Sequence, residues 1–132
     1  MATFNECLNA RNTHASYFIT APGSTGQINF VTGTVPATAD TAATGTLVCS
    51  CALSATDATV SSGTLTFNAI SVGTVVSAGT ITYARVYSST AITASFLDLD
   101  VGTTATNSVS LSSTVYAIGD KITLGPTLTI VF

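Results

Sequence analysis

The residues that could do chemistry are few and far apart. One histidine, His14, three cysteines, Cys7, Cys49 and Cys51, and an Asp98-x-Asp100 pair are the groups to weigh first. Nucleophilic catalysis needs a base within hydrogen-bond reach of the nucleophile. His14 is the one imidazole available for that, and it falls at the end of a short predicted helix, where capping or a surface role suits it better. Asp98 and Asp100 suggest a glycosidase dyad or a calcium site. Two strand carboxylates on one face are a poor match for either, since calcium takes six or more oxygens, usually from a tight loop. Cys49 and Cys51 stand two apart in a predicted strand and so share a face, which suits burial as small apolar side chains. A metal site would need further ligands that His14 does not supply. The glycines fall at strand ends rather than before a helix, which fits turns and not a phosphate cradle. The expectation is a protein that is not an enzyme and has no cofactor and no metal.

Charge narrows the partners. The chain has 132 residues, 46% of them hydrophobic and only 7% charged, with three Lys or Arg against six Asp or Glu. Arg11, Arg85 and Lys121 cannot make the basic stripe that phosphates require, so no nucleic-acid binding is expected. The uncharged run from Asp57 to Arg85 is broken too often by Ser, Thr and Gly for lipid, so no membrane span is expected. A surface built from Ser, Thr and Ala with little net charge lacks self-repulsion and suits life inside an assembly. The start MATFNECLNARNTHASYF carries Glu6 and Arg11 and no continuous apolar core, unlike a secretory signal. The reading is synthesis and assembly in the host cytoplasm, with free thiols.

These residues must be positioned by β-structure. Thr3 and Glu6 fit a capping box, and Phe4, Cys7 and Leu8 share one helical face, which predicts a short helix from about Phe4 to Arg11 within a helical N-terminal segment 1–15. From Tyr17 onward the period is two. Strands are predicted near Ser16–Thr20, Gln27–Thr32, Thr46–Leu53, Thr64–Ile70, Gly79–Tyr87, Ser95–Val101, Ser108–Leu111, Lys121–Leu124 and Leu128–Phe132. The pattern predicts a single all-β domain over 1–132, an antiparallel β-sandwich of jelly-roll or Greek-key type. Leu97, Leu99 and Val101 alternate with Phe96, Asp98 and Asp100, which puts both aspartates outward. Arg85, on a face with Ile81, Tyr83 and Tyr87, is then expected to meet Asp98 or Asp100 across a hairpin as an exposed ion pair. Such a pair would contribute about 0–1 kcal/mol and act mainly on register.

One stretch resists this reading. TGTVPATADTAATGTL, Thr32 to Leu47, holds one charge and connects two predicted strands. Pro36 holds its start extended and Gly45 frees its end. Asp40 suits an Asx-type turn at the tip. Long loops without secondary structure in compact domains tend to be functional. Thr34, Val35, Pro36, Asp40 and Thr41 are therefore the candidate inter-subunit contact.

At Thr32 to Ser54 the chain resembles a family of small tailed-bacteriophage virion structural proteins. In that family a strand ending in Thr-Gly is followed by P-x-x-A-D-x-A-x-x-G-T-L and a second strand. Pro36, Ala39, Asp40, Gly45, Thr46 and Leu47 occupy those positions. SAGTITYARVYSS, Ser77 to Ser89, is similar to the family's strand with Arg85 at its arginine. DLDVGTTATNSVSLSSTVYAIGDKITLGPTLTIVF carries the later blocks in order. Together the blocks cover roughly three quarters of the chain, a span long enough for one whole domain. The N-terminal helical part is shorter and poorer in Leu than in the family, and the ending LTIVF lacks the family's closing proline. The resemblance implies capsid decoration, a cement role on the virion's capsid surface. It also implies the major capsid protein as partner and a homo-oligomer, with a trimer favoured. A tail or tail-tip component is the alternative within that class. A carbohydrate-binding or adhesin β-sandwich is the alternative outside it, with Tyr83 and Tyr87 as its glycan candidates.

Overall fold

The computed structural model describes residues 7, 9–10, 12–13, 26–39, 41–53, 58–67, 70–87, 95–124 and 129–131. These residues are mostly β-strand and connecting loop. The strands are β1 (Gln27–Val31), β2 (Leu47–Ala52), β3 (Ala58–Ser61), β4 (Thr64–Phe67), β5 (Gly73–Thr74) and β6 (Gly79–Thr80). They are followed by β7 (Tyr83–Tyr87), β8 (Ser95–Gly102), β9 (Val109–Ser110), β10 (Val115–Tyr116), β11 (Lys121–Ile122) and β12 (Thr129–Val131). A five-stranded sheet runs β2-β1-β7-β8-β9, a three-stranded sheet runs β12-β4-β3, and β10-β6 and β11-β5 form two short ribbons.

Period-two alternation sets the core. Ile28 and Phe30 on β1 lie opposite Cys51 and Cys49 on β2 and Val86 and Ala84 on β7. Val86 and Ala84 in turn face Leu97 and Leu99 on β8. Leu65 and Phe67 of β4, with Val75 just after β5 and Ile122 of β11, join the same buried cluster. Burying a Val, Leu, Ile or Phe side chain stabilises by about 1.5–3 kcal/mol each, so this shared core is the main driving term.

Several expectations need correction. The alternation in β1 and β7 predicts one solvent face, yet all five residues of each strand are buried. Gln27, Asn29 and Arg85 on their second face are as enclosed as the apolar side chains. The expected Gly79–Tyr87 strand is interrupted at Ile81 and Thr82. The amide of Ile81 bonds Thr114 O at 2.8 Å and that of Thr82 bonds Val31 O at 3.0 Å. β8 and β9 pair in parallel, Val101 with Val109, where antiparallel pairing was expected. β3, β5 and β10 are additional. The expected strand at 16–20 lies outside the described residues, as does most of the expected helix at 4–11. Asn9, Ala10, Asn12 and Thr13 have helical backbone.

Two local features explain otherwise weak elements. Ser61 pairs with Thr64, and between them Ser62 and Gly63 both have positive φ, 51° and 76°, the signature of a two-residue type I′ hairpin turn. Segment 71–76 lies along the outer edge of β2, through Ser71 N to Ala52 O at 3.0 Å and Val76 N to Val48 O at 2.8 Å. Gly73 has to be glycine there, because a Cβ would stand 2.3 Å from the Cys49 sulfur and 2.7 Å from that of Cys51.

Candidate functional site

The second face of the five-stranded sheet carries an ordered polar row. Ser50, Asn29, Arg85 and Asp98 are register partners on β2, β1, β7 and β8. Ser50 Oγ donates to Asn29 Oδ1 at 2.7 Å, and Gln27 Nε2 donates to the same oxygen at 3.0 Å. Polar groups this deep are tolerated only when hydrogen-bonded, and this row finds partners among its own members, in Gln27 and in the 32–46 loop.

Arg85 is 1% exposed. Its Nε and Nη2 donate to Asp98 Oδ1 at 2.6 Å and Oδ2 at 2.8 Å, a bidentate fork. Asp98, at 14% exposure, is enclosed too, so the outward and exposed placement expected for this pair is corrected. Hydrogen bonding to Asp98 pushes the guanidinium's pKa still higher, opposed by burial. The remaining donors leave the sheet. Nη1 donates to Thr41 O at 2.5 Å and Nη2 also reaches Thr38 O at 3.5 Å.

Those carbonyls belong to the tip of the long connection, residues 32–46 between β1 and β2. The tip is a turn, with Thr41 N donating to Thr38 O at 3.1 Å and the two threonine hydroxyls 3.2 Å apart. The neck is pinned separately. Thr32 N donates to Thr46 O at 3.1 Å, and Thr46 N donates to Thr32 Oγ1 at 3.0 Å. Thr82 Oγ1 donates to Gly33 O at 2.6 Å. At Gly45 a Cβ would fall 1.6 Å from Thr32 O, so the neck closes only on glycine. Closed at the neck and compact, the segment is an Ω-type loop.

The candidate contact residues are distributed as follows. Thr34 and Thr41 are exposed, Val35 is 46% exposed and Pro36 is half-buried. Asp40 lies outside the described residues. Asp100 stands across from Tyr83 rather than Arg85. It accepts from Asn107 Nδ2 at 2.9 Å, Ser108 N at 3.1 Å and the Ser108 hydroxyl. Hydrogen bonds from Ser108 and then Asn107 hold its carboxyl below the usual value of 3.8. Arg85 and Asp98 are thus brought together, and Asp100 instead organises the 103–108 loop.

Tyr83 and Tyr87, the glycan candidates, are buried at 0% and 7% exposure and offer no surface platform. The Tyr83 hydroxyl is buried with no hydrogen-bond partner, and burial raises its pKa. Cys49 and Cys51 are free, buried thiols. Desolvation raises both, Cys51 to about 12. Among the described residues no group of three or more His, Cys, Asp or Glu could hold a metal ion. No helix among them is long and apolar enough to cross a membrane.

Sequence reasoning missed Thr38 and Thr82, which act through one carbonyl and one hydroxyl that any Thr-rich loop offers. It also missed the Gln27–Asn29–Ser50 network. The signal for that network was present, since two amides at alternate positions of an otherwise apolar strand need partners if the strand is central. Comparison with known proteins gives no match to a family model, to a curated protein or to a solved structure.

Proposed function

We propose that the protein is a bacteriophage capsid decoration protein, seated on the outer surface of the head as a trimer that bridges major capsid protein subunits. The observation that carries this reading is the 32–46 loop. A buried, bidentate Arg85–Asp98 pair fixes the shape of a segment whose described residues offer hydroxyls, methyls and main-chain groups and no reactive side chain. A chain that orders such a loop so firmly uses shape rather than chemistry, which is what a cement protein needs. The surface fits the same role. Val72, Val76, Val115 and Ile118 are exposed on a chain with few charges. Arg85 is enclosed, which leaves little cationic surface for nucleic acid.

In this reading the sheets are two layers of a sandwich, supported by a core that Ile28 and Phe30 share with Leu65 and Phe67. In this reading too, the helical residues Asn9, Ala10, Asn12 and Thr13 are tied to the β3–β4 turn, supported by the bond from Gly63 N to Asn12 Oδ1 at 2.7 Å. Particles lacking the protein are expected to assemble and to lose resistance to heat or pressure. Intact, equally robust heads with defective tails would favour the tail component and overturn the decoration reading.

A further inference from the structure

We infer that the outward face of the band formed by residues 72–80 and 115–123 is a self-association surface, which packs against the same face of a second copy of this chain. It rests on the proposed function for the existence of an oligomer, and adds the surface through which the copies meet.

The two short ribbons make one continuous band. β5 pairs with β11 at Thr74 and Lys121, and β6 pairs with β10 at Thr80 and Val115. Between them Val75 N donates to Asp120 O at 2.8 Å and Gly119 N donates to Val75 O at 3.0 Å, so the two segments stay joined across the gap. Exposure along the first segment has period two. Gly73 and Val75 are buried, while Val72, Thr74, Val76, Ala78 and Thr80 are exposed. Val115 shares the outward face with Thr80, its register partner. Val72, Val76 and Val115 are 56%, 59% and 65% exposed, and Ile118, at the turn between β10 and β11, is 71% exposed. With Val35 these are the exposed large apolar side chains among the described residues.

An outward strand face ordinarily carries polar side chains. Single exposed valines need no explanation, but four large apolar side chains on one band of a hydroxyl-rich surface mark an interaction site. The layout is that of a protein interface, with an apolar centre, the exposed Thr74, Thr80 and Thr123 around it, and the charges kept to one end. Main-chain pairing holds the band, so the patch is presented with little left to order on binding.

Charge selects a second copy as the occupant. Asp120 and Lys121 are adjacent and exposed, and the two segments carry no other charged residue. The face is therefore neutral overall, and about a symmetry axis each copy sets its Asp120 against the Lys121 of the next. A strongly charged partner surface would repel one of the two. Both groups have capacity for this contact. The Lys121 ammonium has three donors, one of which goes to Thr74 Oγ1. The Asp120 carboxylate takes the Ala117 amide on Oδ2 at 2.8 Å and accepts further donors.

The test is analytical ultracentrifugation of the full chain across a concentration series. The wild type should sediment as an oligomer, and Val76→Asp and Ile118→Asp should each weaken self-association by about tenfold or more, with the far-ultraviolet circular dichroism unchanged. Val35→Asp, at an exposed valine of the 32–46 loop, should leave association as it is. Lys121→Glu should weaken it by about three- to tenfold, and mixing that variant with Asp120→Lys should recover the loss. A wild type that stays monomeric at every concentration, or an oligomer that Val76→Asp and Ile118→Asp leave intact, would overturn this surface. Monomers that still coat heads would overturn it and leave the decoration reading in place, and loss of that coat on Ile118→Asp would give the face to the capsid instead. Bare heads beside an oligomer that the same variants dissociate would overturn the decoration reading and leave the surface standing.

Discussion

Asp98 faces Arg85 directly across the β7–β8 ladder and accepts from it twice, at 2.6 and 2.8 Å, inside a face of the sheet that period-two reasoning assigns to solvent. One register pair thereby links the hairpin most legible in the sequence to the loop that is least legible. It also changes the energetics. Breaking a buried pair by removing one partner strands a charge, whereas an exposed pair contributes little.

Arg85→Ala should therefore destabilise the fold by about 3–5 kcal/mol in urea unfolding, well above the 0–1 kcal/mol of a surface pair. The charge exchange Arg85→Glu with Asp98→Lys should recover only part of that loss, because it takes the guanidinium donors away from the Thr41 and Thr38 carbonyls, of which Thr38 O keeps only the Thr41 amide. Full recovery by the exchange would show that the pair acts as charge alone and that the loop contacts contribute nothing.

Asp100 makes a separate prediction for acid. Its folded-state carboxyl titrates below the ordinary 3.8 because Ser108 and Asn107 donate to the charged form. The folded value is the lower one, so its contribution is present above the unfolded pKa and is lost as pH falls through the folded value, a window below about pH 4. The side chain is exposed, so the effect on stability is small. The sharper readout is the carboxyl carbon shift in an NMR titration, in which Ser108→Ala should move the Asp100 midpoint upward. A midpoint unmoved by that change would remove Ser108 as the cause.

The thiols predict behaviour in base and toward reagents. Cys7 is exposed while Cys49 and Cys51 are buried, so a thiol reagent should label Cys7 in the native protein and all three on unfolding. Cys51 titrates near 12 in the fold against 9.0 when solvated. A raised folded value means that its stabilising contribution is complete below pH 9 and declines as pH rises toward 12, by about 1.4 kcal/mol per pH unit for one group. Cys51→Ala should flatten that slope in denaturation measured across this range. An unchanged slope would place the base sensitivity elsewhere.

How much of this was legible follows from the range of the signals. The β7–β8 hairpin could be read because apolar and polar residues alternate over several positions in Ser95–Gly102 and its partner. Burial of the second face was legible only in part: Gln27 and Asn29 at alternate positions of an apolar strand call for partners if that strand is central, but Arg85 looks like a solvent residue until the loop contacts are known. β5 and β10 are two residues each, too short for any periodicity, and they pair across long gaps, Val115 with Thr80 and Thr74 with Lys121. β3 was within reach. The Ser62-Gly63 dipeptide before Thr64 is a hairpin signal, and a strand on its N-terminal side follows from it. For the 32–46 loop, Gly45 was expected only to free the loop's end, and Arg85 was expected to find an aspartate. That a guanidinium would also take two threonine carbonyls from a loop more than forty residues away has no local signature.

The central claim, an assembly role on the virion head, is tested most directly by counting copies of the protein in purified particles by quantitative mass spectrometry. Decoration of an icosahedral head predicts on the order of hundreds of copies per particle, in a fixed ratio to the major capsid protein. A count of a few copies or a small ring multiple, or absence from the particle altogether, would contradict it.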